Sequence, residues 1–234
     1  MLFRSASRAV LDQAATIAEQ DRDDFVRSRG EILRNYIKSM PAAGTAAEVK
    51  SAGGAKEQQA IAFLKSRKLG VSADQLRRSA QQANPAEVQA LIDAGVSVNS
   101  GSGLSDSAIY AAVFSGCGAS QGETDGLVNT VTTLVAAGAD LKRKDDNGND
   151  ILISAAQMCG PRIVGALIAG GADIKGASTT GLSALAMALL MHHPDSAEVL
   201  VNKGARLSPS QVQMISGSAT DPRSKAIIQR ATGK

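Results

Sequence analysis

Tryptophan is absent from the chain, and only two Tyr and four Phe appear among its 234 residues. Hydrophobic residues still make up 44% of the total, so Ala, Leu, Ile and Val carry the apolar content. β-Sandwich cores lean on aromatic and β-branched residues, whereas closely packed helices manage with small aliphatic ones. Long apolar runs are missing as well. No stretch reaches the roughly 18 residues that a membrane span requires, so no membrane partner is expected. Net positive charge is small and confined: residues 1–70 hold 12 Lys and Arg against 8 Asp and Glu, and the remainder holds 13 against 14. Phosphate binding needs a concentrated basic stripe, which argues against nucleic acid. With two Cys and two His in all, metal chemistry has few ligands to draw on.

Gly95, Gly138, Gly171 and Gly204 follow four similar segments: Ala90-Leu91-Ile92-Asp93-Ala94, Thr133-Leu134-Val135-Ala136-Ala137, Ala166-Leu167-Ile168-Ala169-Gly170 and Val199-Leu200-Val201-Asn202-Lys203. Their spacings are 43, 33 and 33, and Gly233 closes a shorter unit of 29. Each glycine ends an apolar helical stretch, where a left-handed residue is needed and a Cβ would clash. A small residue and an apolar one follow, then a polar turn such as Lys144-Asp145-Asp146-Asn147-Gly148, then the next helix. Units begin on this reading at Ser72, Ser105, Gly148 and Gly181.

This pattern resembles the ankyrin repeat, a 33-residue turn-plus-two-helices unit with a Thr-Pro-Leu-His-x-Ala signature. The helix-capping residue, the buried aliphatic and the closing Ala survive, as in Asp150-Ile151-Leu152-Ile153-Ser154-Ala155 and Ser183-Ala184-Leu185-Ala186-Met187-Ala188. No unit keeps the Pro or the His, whose family role is to bond the neighbouring turn. The resemblance implies an all-α solenoid over about residues 72–233, with helical caps at both ends.

At the C-terminal end of the array, Ser208-Pro209 and Asp221-Pro222 start two short helices of a cap over 205–233. Ahead of the array, residues 1–54 read as a helical extension over 5–39 followed by a loose linker, and 55–71 as a capping helix. The start, from Met1 to Arg8, has Arg and Ser and no acid before Asp12. That faintly resembles an organellar transit peptide, though the first turn of an amphipathic helix is the plainer reading. The spacing of 43 places ten extra residues in the second unit, best fitted between its two helices around Gly116 to Asp125. A Gly-rich phosphate cradle does not fit there, because no Lys-Ser/Thr follows and no strand precedes.

The resemblance also implies a protein-binding surface on the turn fingers and first helices. By register, its exposed candidates are Leu104, Asp106 and Phe114 in unit two, Asp146, Asn149 and Met158 in unit three, and Leu182, Leu190 and Met191 in unit four. Lys142, Arg143 and Lys144 would add a charged rim that steers encounter. Large apolar residues on an exposed face suit a protein partner; Leu190 and Met191 could alternatively pack under the cap.

Cys117 and Cys159 fall at near-equivalent turns of units two and three. Stacked units lie about a helix diameter apart, too far for a disulfide unless the insertion helps; two buried thiols are the alternative. Convergence of these Cys with His192 and His193 on one zinc would need ligands from three units, so no metal site is expected. No catalytic residue is expected either. The histidines lack an activated nucleophile, and Asp145 and Asp146 sit at a turn tip where water keeps both ionised. The expected protein is therefore a non-enzymatic, cofactor-free binder of another protein, acting as a monomer or one-to-one heterocomplex. An inhibitor or immunity-type protein and a secreted host-directed effector are the alternatives. The cytoplasm is the expected compartment, or the periplasm or exterior if the cysteines are joined.

Overall fold

A computed structural model describes residues 46–118 and 123–233; the helices expected over 5–39 lie outside the described residues. Eleven helices form from these segments: α1 (Ala46–Ser66), α2 (Ala73–Gln81), α3 (Pro85–Asp93), α4 (Ala108–Gly118), α5 (Asp125–Ala136), α6 (Ile151–Met158), α7 (Pro161–Ala169), α8 (Ala184–Leu190), α9 (Pro194–Asn202), α10 (Pro209–Ile215) and α11 (Pro222–Thr232). The chain from Lys56 onward forms one unit.

Local signals start and stop these helices. The side chains of Ser72, Asp150, Ser183 and Ser208 each accept a hydrogen bond from the backbone N–H three residues on, and Ser107 does the same for Tyr110. Such caps satisfy donors that the first turn would leave bare. Pro opens α3, α7, α9, α10 and α11, where its missing N–H costs nothing. Gly95, Gly138, Gly171 and Gly204 take φ between 88° and 96°, reversing the chain after each second helix.

Packing then sorts the helices into two layers. The first helices stack as α2 on α4, α4 on α6, α6 on α8 and α8 on α10. The second helices stack in parallel, α3 on α5, α5 on α7, α7 on α9 and α9 on α11. Leu76, Ile109, Leu152 and Leu185 form one buried column of the first layer, and Leu91, Leu134, Leu167 and Leu200 one of the second. Burying each such side chain is worth about 1.5–3 kcal/mol relative to leaving it exposed.

Two boundaries differ from expectation. The caps Ser107, Asp150 and Ser183 lie two residues past the expected unit starts, whereas Ser72 is itself a cap, so α2 begins earlier relative to its buried Leu76. Ahead of the stack, α1 begins at Ala46 rather than Ala55, and it carries Gly53 and Gly54 within it. Buried Ala60 and Leu64 on α1 join the core, and Lys56 pairs with Asp93 at 2.8 Å.

Candidate protein-binding surface

Buried positions on the first helices leave the adjoining positions facing outward. On α4, Ala112 and Val113 are fully buried, and the next residue, Phe114, is 54% exposed. Tyr110 lies one turn earlier, and its ring stacks on Phe114 with centroids 5.5 Å apart and planes 15° from parallel. Burial first, and then the Asp145 carboxylate, raises the Tyr110 pKa, so its phenol is a neutral donor at physiological pH. Met191 at the end of α8 and Met214 on α10 are also exposed, as is Val71 ahead of α2. Met158, Leu182 and Leu190 are half-buried and pack against the core.

The turns between units bond to one another. The Asn99 side chain donates to Gly138 O and accepts from Asp140 N. The Arg143 guanidinium donates to Asn99 O and Gly101 O, and Lys144 Nζ reaches Ala177 O on the following turn at 3.1 Å. Thr179 donates to Asn147 O through both its N–H and its hydroxyl. Within the third unit's finger, Asn149 donates from backbone and side chain to the Asp145 carboxylate.

Units two and three are also joined beside their inter-helix turns. Cys117 and Cys159 form a disulfide with Cα atoms 5.0 Å apart. The two cysteines, with Glu123, Met158, Gly160 and His193, line a cleft of about 290 Å³. Nearby, Glu123 accepts from the backbone N–H groups of Arg162 and Ile163 at 2.9 and 2.7 Å. That carboxylate does for α7 what Gly160, its N-cap, cannot do without a side chain. Among the described residues no group of three or more His, Cys, Asp and Glu is arranged to hold a metal ion. No helix there is long and apolar enough to cross a membrane.

Residues 117–210 match the ankyrin-repeat family as three copies. That part of the chain consists of ankyrin repeats. No curated protein matches it. The first repeat lies outside the matched span, yet its Leu76 and Leu91 continue the buried columns of the others.

Several expected surface residues have other duties in this ankyrin stack. Leu104 is only 1% exposed; the turn of the second repeat folds it inward, where its carbonyl accepts from Ser107 N–H and Oγ. Arg143 and Asn149 are half-buried and committed to the turns. Asp106 is exposed and accepts from Ser102 Oγ, while Lys142 and Asp146 are simply exposed. Tyr110 and Met214 were absent from the expected set. The i, i+4 spacing of Tyr110 from Phe114 signals the first; the repeat register carried on into the cap puts no surface position at the second. Asn99 and Thr179 make the bonds that join successive turns. His193 serves instead as the N-cap residue of α9, with Nε2 3.1 Å from Gln157 O.

The disulfide corrects the expected distance between Cys117 and Cys159. The other first helices of the array, α2, α6 and α8, end at positions equivalent to Phe114 or Ser115, but α4 runs on to Gly118. That extra turn, built from inserted residues, carries Cys117 to within bonding reach.

Proposed function

We propose that this ankyrin chain is a non-enzymatic scaffold that binds another protein through the free face of its first helices. Ankyrin repeats generally mediate protein–protein interaction. The observation that carries the reading to particular residues is the solvent-facing Tyr110–Phe114 stack. Leaving Phe114 54% exposed forgoes part of the roughly 1.5–3 kcal/mol that full burial is worth, and a partner's pocket recovers it. Stiff aromatic side chains with a hydroxyl at one edge are typical interface anchors. Met191 lies two repeats on, with Met158 half-buried between them, and their thioethers adapt to a partner's contour. Exposed Lys142, Lys144 and Asp146 supply a mixed-charge rim suited to steering.

The surface needs no cofactor, and the complex is taken to be one-to-one. Joined cysteines support a compartment that permits disulfides over a strongly reducing cytoplasm. Affinity capture with the wild-type chain and with Phe114→Ser/Met191→Ser tests the reading. The double variant should lose the wild-type partner by at least tenfold while its helical circular dichroism is unchanged. Undiminished capture by the folded variant places the contact elsewhere. If the captured protein is an enzyme, assaying it with and without the ankyrin chain separates a scaffold from an inhibitor.

A further inference from the structure

We propose that the Cys117–Cys159 disulfide is a reducible clasp. A dithiol reductant opens it in the folded chain, loosening the last turn of α4 and the Glu123-capped start of α7 while the rest of the stack stays folded.

The two sulfurs differ in access. Cys117 is half-buried and Cys159 is 1% exposed, and both border the cleft shared with Met158 and His193. An incoming thiolate therefore reaches Cys117 Sγ first. Attack forms a mixed disulfide at Cys117, and the S–S bonding pair departs on Cys159 Sγ, which then takes up a proton. The second thiol of the reductant displaces the Cys117 sulfur, completing a two-electron transfer that leaves two protein thiols and a cyclic disulfide. Cys159 immediately precedes Gly160, the N-cap of α7.

What the clasp holds is otherwise weakly held. The turn Gly116–Gly118 extends past the positions where α2, α6 and α8 stop, so its last residue, exposed Gly118, outruns its neighbours in the layer. Two of its three residues are glycine, the poorest helix former after proline. The start of α7 has no cap of its own and borrows Glu123, which lies six residues past Cys117. By contrast, Ile163, Val164 and Leu167 of α7 are fully buried, and their packing does not depend on the sulfur bridge. Tyr110, Phe114 and Cys117 fall at i, i+4 and i+7 of α4, so the clasp ends on the face that carries the ring pair. The clasp itself does not depend on that face being the binding surface.

Hydrogen exchange on the full chain, before and after dithiothreitol, tests this without a partner. On reduction, the amides of Cys117, Gly118, Arg162 and Ile163 should exchange at least tenfold faster, with α8 and α9 unchanged and helical circular dichroism retained. In Cys159→Ser, oxidised glutathione should form an adduct at Cys117; in Cys117→Ser, the buried Cys159 should react at least tenfold more slowly. Glu123→Ala should speed exchange at Arg162 and Ile163 alone, with the disulfide intact. A bond that dithiothreitol cleaves only in denaturant overturns the proposal. So does a reduced chain that keeps Arg162 and Ile163 protected, or one that loses its helical signal throughout.

Discussion

Asn99 holds two successive turns of the stack together, its Oδ1 accepting from Asp140 N–H at 2.7 Å while its Nδ2 donates to Gly138 O at 2.9 Å. One side chain thus bonds the backbone on both sides of Ala139. Truncation removes both bonds in a part-exposed setting, where each nets about 0.5–1.5 kcal/mol. Asn99→Ala should therefore lower the free energy of unfolding by about 1–2 kcal/mol in urea titration. An unchanged midpoint would show that water replaces Asn99 without loss.

Asp150 caps α6 while only 4% exposed. Burial pushes its carboxyl above the ordinary value of 3.8, against the pull of the Ile153 and Leu152 backbone donors and Lys144, with Asp173 adding to the rise. The folded chain thus holds this proton more tightly than the unfolded one. The stabilisation from protonated Asp150 is complete below the unfolded value and lost as pH rises through the folded one. Asp150→Asn keeps an oxygen for the Ile153 N–H and removes the buried charge. It should match or exceed wild-type stability at pH 7, and its advantage should shrink as pH falls toward about 4. Asp150→Ala, with no cap, should cost about 1 kcal/mol near pH 4 and less at pH 7, where the buried charge already weakens the wild type. Thermal melts of both variants across that range check the sign.

His192 takes φ of 59° just after α8, a left-handed conformation that costs a residue with a Cβ about 1–2 kcal/mol. Its ring is exposed, and His193, not His192, contacts Gln157. His192→Gly should relieve that strain and raise stability by about 0.5–1 kcal/mol after the entropy of the freer unfolded chain is counted. A lowered melting temperature would reveal a role for the ring that its exposure does not suggest.

Gly160 lets Glu123 approach the start of α7; a Cβ there would lie 2.6 Å from Glu123 Oε2. Because the obstructed atom ends a flexible side chain, Gly160→Ala should displace the carboxylate rather than the backbone. The cost should be that of a lost cap, about 1 kcal/mol. In a Glu123→Ala background the same substitution should cost almost nothing. A double-mutant cycle measures this coupling, and additive losses would refute it.

How much of this was legible in the residues depends on the range of the interaction. The glycine spacings foretold the reversal after each second helix, because a left-handed residue at a helix end is a local requirement. The same spacings put the insertion between α4 and α5. Buried residues on the first helices advance by 33 from Leu76 to Ile109, whereas those on the second advance by 43 from Leu91 to Leu134. The surface was less legible. Register alone placed Leu104 outside, but its exposure depends on how the turn from Gly101 to Ser107 closes.

The sequence by itself determined the all-α repeat architecture, since periodicity, Ser, Thr and Asp caps, Pro starts and Gly stops all act within a few residues of one another. Only the tertiary structure decided that Cys117 meets Cys159, that Glu123 caps α7, that Asn99 bridges two turns, and that Tyr110 stacks on Phe114 at the surface. The first three pairings span about 40 residues, and each needs two repeats stacked in a particular register. The Tyr110–Phe114 spacing is local, but its exposure depends on what the neighbouring helices leave uncovered. A change of a few ångströms in that stacking would have left each of these groups without its partner.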